Sequence, residues 1–222
     1  AGPYGPEYPS HGLCTAADLE QLVARALQSP REIAAPRAPQ IAPRSRRAGH
    51  RFPAHESALL VIIPAYNEQH NIEAVLRDVQ THLPWADIVV INDGSRDKTT
   101  ARAIAAGAQV LELPYNLGIG GAVQVGLKYA VLRGYPFVIR LDGDGQHDAA
   151  YLPDMLATAW QGGYNAVIGS RFIHRRSGYH PPLARLIGIR MFSVLVSLLV
   201  GKRVHDPTSG MMVLDYAAAR VL

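Results

Sequence analysis

The sequence predicts an α/β fold, a mostly parallel, doubly wound sheet with helices on both faces. Two observations carry that prediction. From Ala58 onward, short runs rich in β-branched residues alternate with segments of helical periodicity, the pattern of strand–helix–strand units. Several of those runs also end directly in clusters of Asp, Asn and Gly. In doubly wound sheets, ligands collect outside the carboxyl ends of the strands.

The strand candidates are ALLVII (58–63), DIVVI (87–91), QVLEL (109–113), FVIRL (137–141) and NAVIG (165–169). Helices are expected at 71–83, 97–107, 118–133 and 149–161, between or after them. Residues 1–57 read differently. They hold half of the 16 prolines and a scatter of arginines that includes Arg44, Arg46, Arg47 and Arg51. One short helix fits from Ala16 to Gln28, with Leu19, Leu22, Val23, Ala26 and Leu27 at helical spacing. The Pro/Arg-rich remainder offers too little apolar surface to order itself. The segment is expected to be an arm, with the main folded domain spanning 58–222.

Over 222 residues, 48% are hydrophobic and 18% charged, enough for a substantial core. The net charge of +4 suits an anionic substrate or a membrane surface. It is too mild to single out nucleic acid, and no such partner is expected. Cys14 is the only cysteine, so no intramolecular disulfide can form and a reducing, cytoplasmic setting is the simpler expectation. The first residues contain no apolar run of the kind a signal peptide carries, so none is expected in this stretch. The most apolar stretch, Leu186 to Val200, is interrupted by Arg190 and short for a membrane span.

Three polar clusters define the candidate site: PAYNE (Pro64 to Glu68), NDGS (Asn92 to Ser95) and DGDGQHD (Asp142 to Asp148). Each alone is ordinary turn chemistry, but on one sheet edge they make a carboxylate-rich rim. Asp142 and Asp144 alternate with glycines between them. Carboxylates so placed repel each other and favour a hard dication, Mg2+ or Mn2+, shared with a diphosphate. Gln146 could add a neutral oxygen. An EF-hand also begins D-x-D, but its twelfth position needs Glu and here is Pro153. NLGIGGA (Asn116 to Ala122) leads into a helix whose N-terminus could accept phosphate or ribose oxygens. Gly118 and Gly120 also fit part of a dinucleotide fingerprint, whose third glycine is Val123 here, and a packing role suits these glycines equally well.

Taken together, IPAYNE, NDGS, NLGIGGA, LDGDGQHD, GSR (169–171) and DPTSG (206–210) resemble the family 2 glycosyltransferases, in family order over roughly Leu59 to Gly210. The likeness is strongest to the dolichyl-phosphate mannose synthase branch and its bacterial polyprenyl-phosphate relatives. The resemblance implies a GT-A-type fold, a nucleotide-sugar donor such as GDP-mannose or a UDP-hexose, a divalent metal and inversion at the anomeric carbon. It implies that Pro64, Tyr66 and Glu68 line the nucleotide pocket with Gly118 and that Asp93 faces the base or ribose. Asp142, Asp144 and Gln146 match the metal and diphosphate motif. Arg171, and Arg185 as a second, match cations near an acceptor phosphate. One departure stands out: relatives commonly read SGFR after Asp-Pro-Thr, whereas this chain reads SGMMV, so Met212 replaces an arginine. His174, Arg175 or Arg176 could substitute.

A polyprenyl phosphate acceptor arrives ionised and needs only positioning by cations, which suits Arg171 and its basic neighbours. A sugar hydroxyl acceptor would need a base, for which Asp206 is the candidate. Along 186–200, Arg190, Ser193 and Ser197 form a thin polar stripe on an otherwise apolar helix. Such a helix is buried, packed in a homo-oligomer, or laid on a membrane. The chain ends at Leu222 inside an apparent helix, as a catalytic fragment of a longer, membrane-anchored protein would. A soluble polysaccharide-extending transferase and a non-catalytic nucleotide-sugar binder are the alternatives.

Overall fold

The computed structural model describes residues 59–170 and 209–222. The expected arm at 1–57 and the apolar segment Leu186 to Val200 lie outside the described residues. In chain order the elements are β1 (Leu59–Ala65), α1 (Ile72–His82), β2 (Asp87–Asn92), α2 (Thr99–Ala105), β3 (Gln109–Glu112), α3 (Gly118–Arg133), β4 (Phe137–Arg140), a 3-10 turn (Ala149–Tyr151) running into α4 (Leu152–Gly162), β5 (Ala166–Ile168), β6 (Met212–Asp215) and α5 (Tyr216–Val221). The sheet has six strands in the order β3-β2-β1-β4-β6-β5.

β1 is central and buried along its whole length. It pairs in parallel with β2 on one side and β4 on the other. Its alternating side chains feed two cores. Leu59, Val61 and Ile63 pack on one face with Ile72, Val75, Leu76 and Val79 of α1, Ala103 of α2, and Leu152 and Met155 of α4. Leu60 and Ile62 pack on the other face with Ala122, Val125 and Leu127 of α3 and Ala219 of α5. Helices therefore cover both faces, which is why β1 reads as a continuous apolar run.

α1 buries positions at i, i+3, i+4 and i+7, the periodicity read from the sequence. α3 lies against β1 at Gly126, where a Cβ would sit 3.0 Å from the Ile62 side chain. The sheet's amino-terminal edge is closed by Tyr135, whose hydroxyl donates to Asp87 at 2.7 Å. Burial and that carboxylate push the phenol well above its ordinary value.

β6 runs antiparallel between β4 and β5. The sequence reading did not assign it, because MVLD passes directly into the helical YAAARV and the stretch to Leu222 reads as one helix. Its direction has a consequence for the site: β6 starts where the parallel strands finish, bringing Ser209 and Gly210 to their carboxyl edge. The expected 149–161 helix divides into the 3-10 turn, capped by Asp148 accepting from Ala150 N–H, and α4 with Pro153 in its first turn.

Gly126→Val should lower stability by about 1–3 kcal/mol, the usual cost of forcing methyl groups into a close-packed contact. A fall in the urea midpoint at unchanged slope would show it. An unchanged midpoint would mean that α3 is free to move away from β1.

Candidate active site

The site is built where β1, β2 and β4 end. β2 finishes on Asn92, and the next residue, Asp93, is almost wholly buried. Its N–H donates to the Ala65 carbonyl of β1 at 2.9 Å, and its carboxylate accepts from the Leu117 N–H at 2.7 Å. Leu117 is the N-cap of α3 and has no capping side chain of its own. Asp93 thus supplies from a neighbouring strand the acceptor for the N-cap N–H that a Glu at the third helical position supplies in a capping box. Asn116 adds a second, its side-chain oxygen accepting from Gly118 N–H. Gly94 makes this approach possible. Its φ is +71°, and a Cβ there would meet the Asn116 nitrogen and Tyr115 backbone at 2.9 Å, so neither conformation nor space admits a side chain.

The loop after β1 is locked onto the loop after β2. Asn67 adopts the left-handed conformation, φ 57°. Its N–H donates to the Ser95 hydroxyl and its side-chain oxygen accepts from the Arg96 N–H. The N–H groups of Glu68 and Gln69 donate to Thr99 and Asp97. Burial would raise the Asp97 carboxyl, but hydrogen bonds from the Thr99 hydroxyl, its N–H and the Gln69 N–H outweigh it and hold the carboxyl below its ordinary value.

From β4 the chain passes through Leu141 into DGDGQHD. Asp142 accepts from the Arg140 guanidinium at 3.0 Å. Its carboxylate lies so close to Gly210 that a Cβ at 210 would collide with it. Asp144 accepts from the Gln146 N–H at 3.0 Å through one oxygen. A Cβ at Gly143 would stand only 3.2 Å from the Pro64 carbonyl oxygen, tighter than ordinary contact, so the two loops sit side by side. Farther along, Asp78 of α1 accepts from Ala149 N–H and anchors the exit of the loop.

These elements surround one cavity of about 310 Å3, lined by Pro64, Ala65, Tyr66, Glu68, Asp93, Asn116, Gly118, Ile119, Ala122, Asp142, Gly143 and Asp144. Of the residues predicted from the sequence, Pro64, Tyr66, Glu68, Asp93, Gly118, Asp142 and Asp144 are brought together here. Gln146 is exposed and outside the lining; the structure shows its backbone N–H orienting Asp144. Arg171, Arg185, His174, Arg175, Arg176 and Asp206 lie outside the described residues. β5 nevertheless carries the chain to this edge, where Gly169 N–H donates to the Met211 carbonyl. Sequence reasoning missed Arg140 as the partner of Asp142. It also missed Asn92, whose buried amide bonds Ser95 N–H and Thr100.

Four acidic residues line the cavity, of which Asp142 and Asp144 share one loop, and no group of three His, Cys, Asp or Glu side chains assembles a metal cage among the described residues. Mg2+ and similar ions bound with a diphosphate commonly use only one or two carboxylates, the phosphates and water completing the shell. The oxygen donors present fit such an ion.

The family profile described as Glycosyl transferase family 2 matches residues 60–222. The chain belongs to that family. Within glycosyl transferase family 2, the polyprenol monophosphomannose synthase of Mycolicibacterium smegmatis is 31% identical over 157 residues, covering 68% of this chain and 59% of that protein. The dolichyl-phosphate hexose transferase of Haloferax volcanii is 37% identical over 154 residues, 69% of this chain and 64% of that one. Glucosyl-3-phosphoglycerate synthase from Mycobacterium tuberculosis, solved with uridine diphosphate, superposes with a TM-score of 0.57 at 24% identity, over 78% of this chain and 64% of that chain. That likeness shows the fold, and the GT-A-type arrangement expected from the motifs is borne out. The chain spans less than two thirds of the length of each of these proteins.

Asp93→Ala leaves the half-buried Leu117 N–H without its acceptor, at a cost of about 1 kcal/mol. Amide exchange at Leu117 and through the first turn of α3 should accelerate while β1 stays protected. Unchanged exchange at Leu117 would show that Asp93 does not hold the helix.

Proposed function

We propose that this family 2 glycosyltransferase transfers a hexose from a nucleoside-diphosphate sugar to a polyprenyl phosphate, with inversion at the anomeric carbon, at the cytoplasmic face of a membrane. The observation that carries the reading is the convergence of Asp93, Asp142, Asp144 and the start of α3 on one cavity. The polyprenyl-phosphate acceptor is supported by the relatives' names and by the basic residues from Arg171 onward.

In this reading the nucleoside lies along Pro64, Tyr66, Glu68 and Asp93. Tyr66 is exposed at the cavity, so its ring is available to stack on the base. Asp93 spends one oxygen on Leu117 N–H, so the other receives an N–H or hydroxyl of the donor. With Asp93 and Asn116 serving the Leu117 and Gly118 amides, the N–H groups of Ile119 and Gly120 keep no intrahelical partner. They and the helix dipole favour phosphate oxygens. A Mg2+ or Mn2+ ion held by Asp142 and Asp144 would neutralise charge on the departing diphosphate. GDP-mannose and UDP-hexoses are the donor candidates. The acceptor phosphate, already ionised, needs no base; Arg171 and Arg185 hold it opposite the leaving group.

The test measures sugar transfer from radiolabelled donors to undecaprenyl or dolichyl phosphate, beside nucleotide affinity and acceptor KM. Asp144→Ala should abolish transfer and metal-dependent nucleotide binding with the fold intact. Arg171→Ala should raise the acceptor KM about ten- to hundred-fold, the worth of a charge-assisted bond, and leave nucleotide affinity unchanged. Wild-type-like turnover without Asp144 would exclude the metal site. Indifference to Arg171 would favour a hydroxyl acceptor with Asp206 as base.

A further inference from the structure

Arg140 is the one charged side chain bonded to Asp142 among the described residues, and its surroundings ask for an explanation. Its Nη2 donates to Asp142 Oδ1 at 3.0 Å, with the side chain only 22% exposed. Its Nε is buried and finds no partner among the described residues. A buried donor left unpaired is uncommon and costly, so packing alone is a poor reason to keep arginine here. Arg140 does not line the cavity, so any effect on a ligand passes through Asp142 and through its charge.

The sheet register adds a second observation. β4 and β6 are antiparallel, and Arg140 stands directly opposite Met212. Directly opposed residues project from the same face with Cβ atoms roughly 5 Å apart. Met212 is where this sequence lacks the arginine of the SGFR pattern. The chain therefore carries its guanidinium one strand over from that position, bonded to the first carboxylate of DGDGQHD.

We propose that Arg140 is a positioning residue that replaces the cation absent at 212, fixes Asp142, and sets the order in which metal and donor are held. The proposal rests on the reading of the cavity as the donor diphosphate site. Asp142 and Asp144 alone would carry two negative charges and attract a free dication. The guanidinium offsets about one of them and repels a dication directly, so the empty site holds metal weakly. A dication arriving with a diphosphate brings its own negative charge, and the same guanidinium then favours the complex. Arg140 and Gly210 together leave the Asp142 carboxylate little freedom, so it meets the ion already oriented.

The test is Mn2+ binding, followed by the electron paramagnetic resonance of the free ion, with and without UDP or GDP. Wild type is compared with Arg140→Met and with the double variant Arg140→Met, Met212→Arg. Arg140→Met should bind Mn2+ alone about ten-fold more tightly and the nucleoside diphosphate in Mn2+ about ten-fold more weakly. The double variant should return both toward wild type. A side chain that only supported the fold would move both affinities in the same direction or neither, and either result overturns the proposal. A double variant that behaves like Arg140→Met overturns the equivalence of 140 and 212. Should the methionine variant not fold, Arg140→Gln gives the same comparison. Wild type that binds Mn2+ with neither nucleotide would sink the donor-site reading itself, a result distinct from failure of Arg140.

Discussion

β2 ends on Asn92, and the residue after it, Asp93, joins three elements at once. Its N–H bonds the carbonyl of Ala65 at the end of β1, and its carboxylate takes the Leu117 N–H that no local side chain can cap. Because the side chain is only 3% exposed, an unmet partner there would be costly, and the start of α3 is pinned to the edge of the sheet. The other features of the site follow. Gly94 must lack a Cβ so that Tyr115 and Asn116 can pass, and the first turn of α3 is presented to the cavity.

Opposite Asp93 stands the second constraint, the charge balance at Asp142. A carboxylate pair at the end of a buried sheet is unstable by itself. Here Arg140 bonds Asp142, and the Gln146 N–H bonds Asp144. β6 closes that side by running against the other strands, so that Gly210 abuts the Asp142 carboxylate. A parallel strand in that place would have put its first residues at the far edge of the sheet. Behind Tyr66 and Glu68, the loops at Asn67, Ser95, Arg96 and Asp97 are interlocked by backbone-to-side-chain hydrogen bonds.

How much of this the sequence revealed depended on whether a feature was periodic or local. β1, β2 and α3 were legible because buried parallel strands read as β-branched runs and α3 is a long helix ending at Gly134. The clustering of Pro64, Tyr66, Glu68, Asp93, Gly118, Asp142 and Asp144 was legible because the carboxyl-edge rule assigns loops to one side before any contact is known. β6 was hidden because MVLD runs with no intervening turn residue into the helical YAAARV, so the whole tail reads as one helix. Arg140 was hidden because FVIRL reads as an ordinary strand, and only the register shows that its arginine faces Asp142 and Met212. The Asp93–Leu117 bond spans 24 residues, a separation that no local pattern encodes.

The central claim is that a dication and a nucleoside diphosphate meet between the DGDGQHD loop and the start of α3. Paramagnetic broadening of backbone amide resonances by Mn2+, recorded with and without GDP or UDP, reads that location directly. With nucleotide present, the amides of Asp142 to Gln146 and of Leu117 to Gly120 should broaden first, while β3 and α5 keep their intensity. Broadening centred elsewhere, or the same pattern with and without nucleotide, would contradict the account.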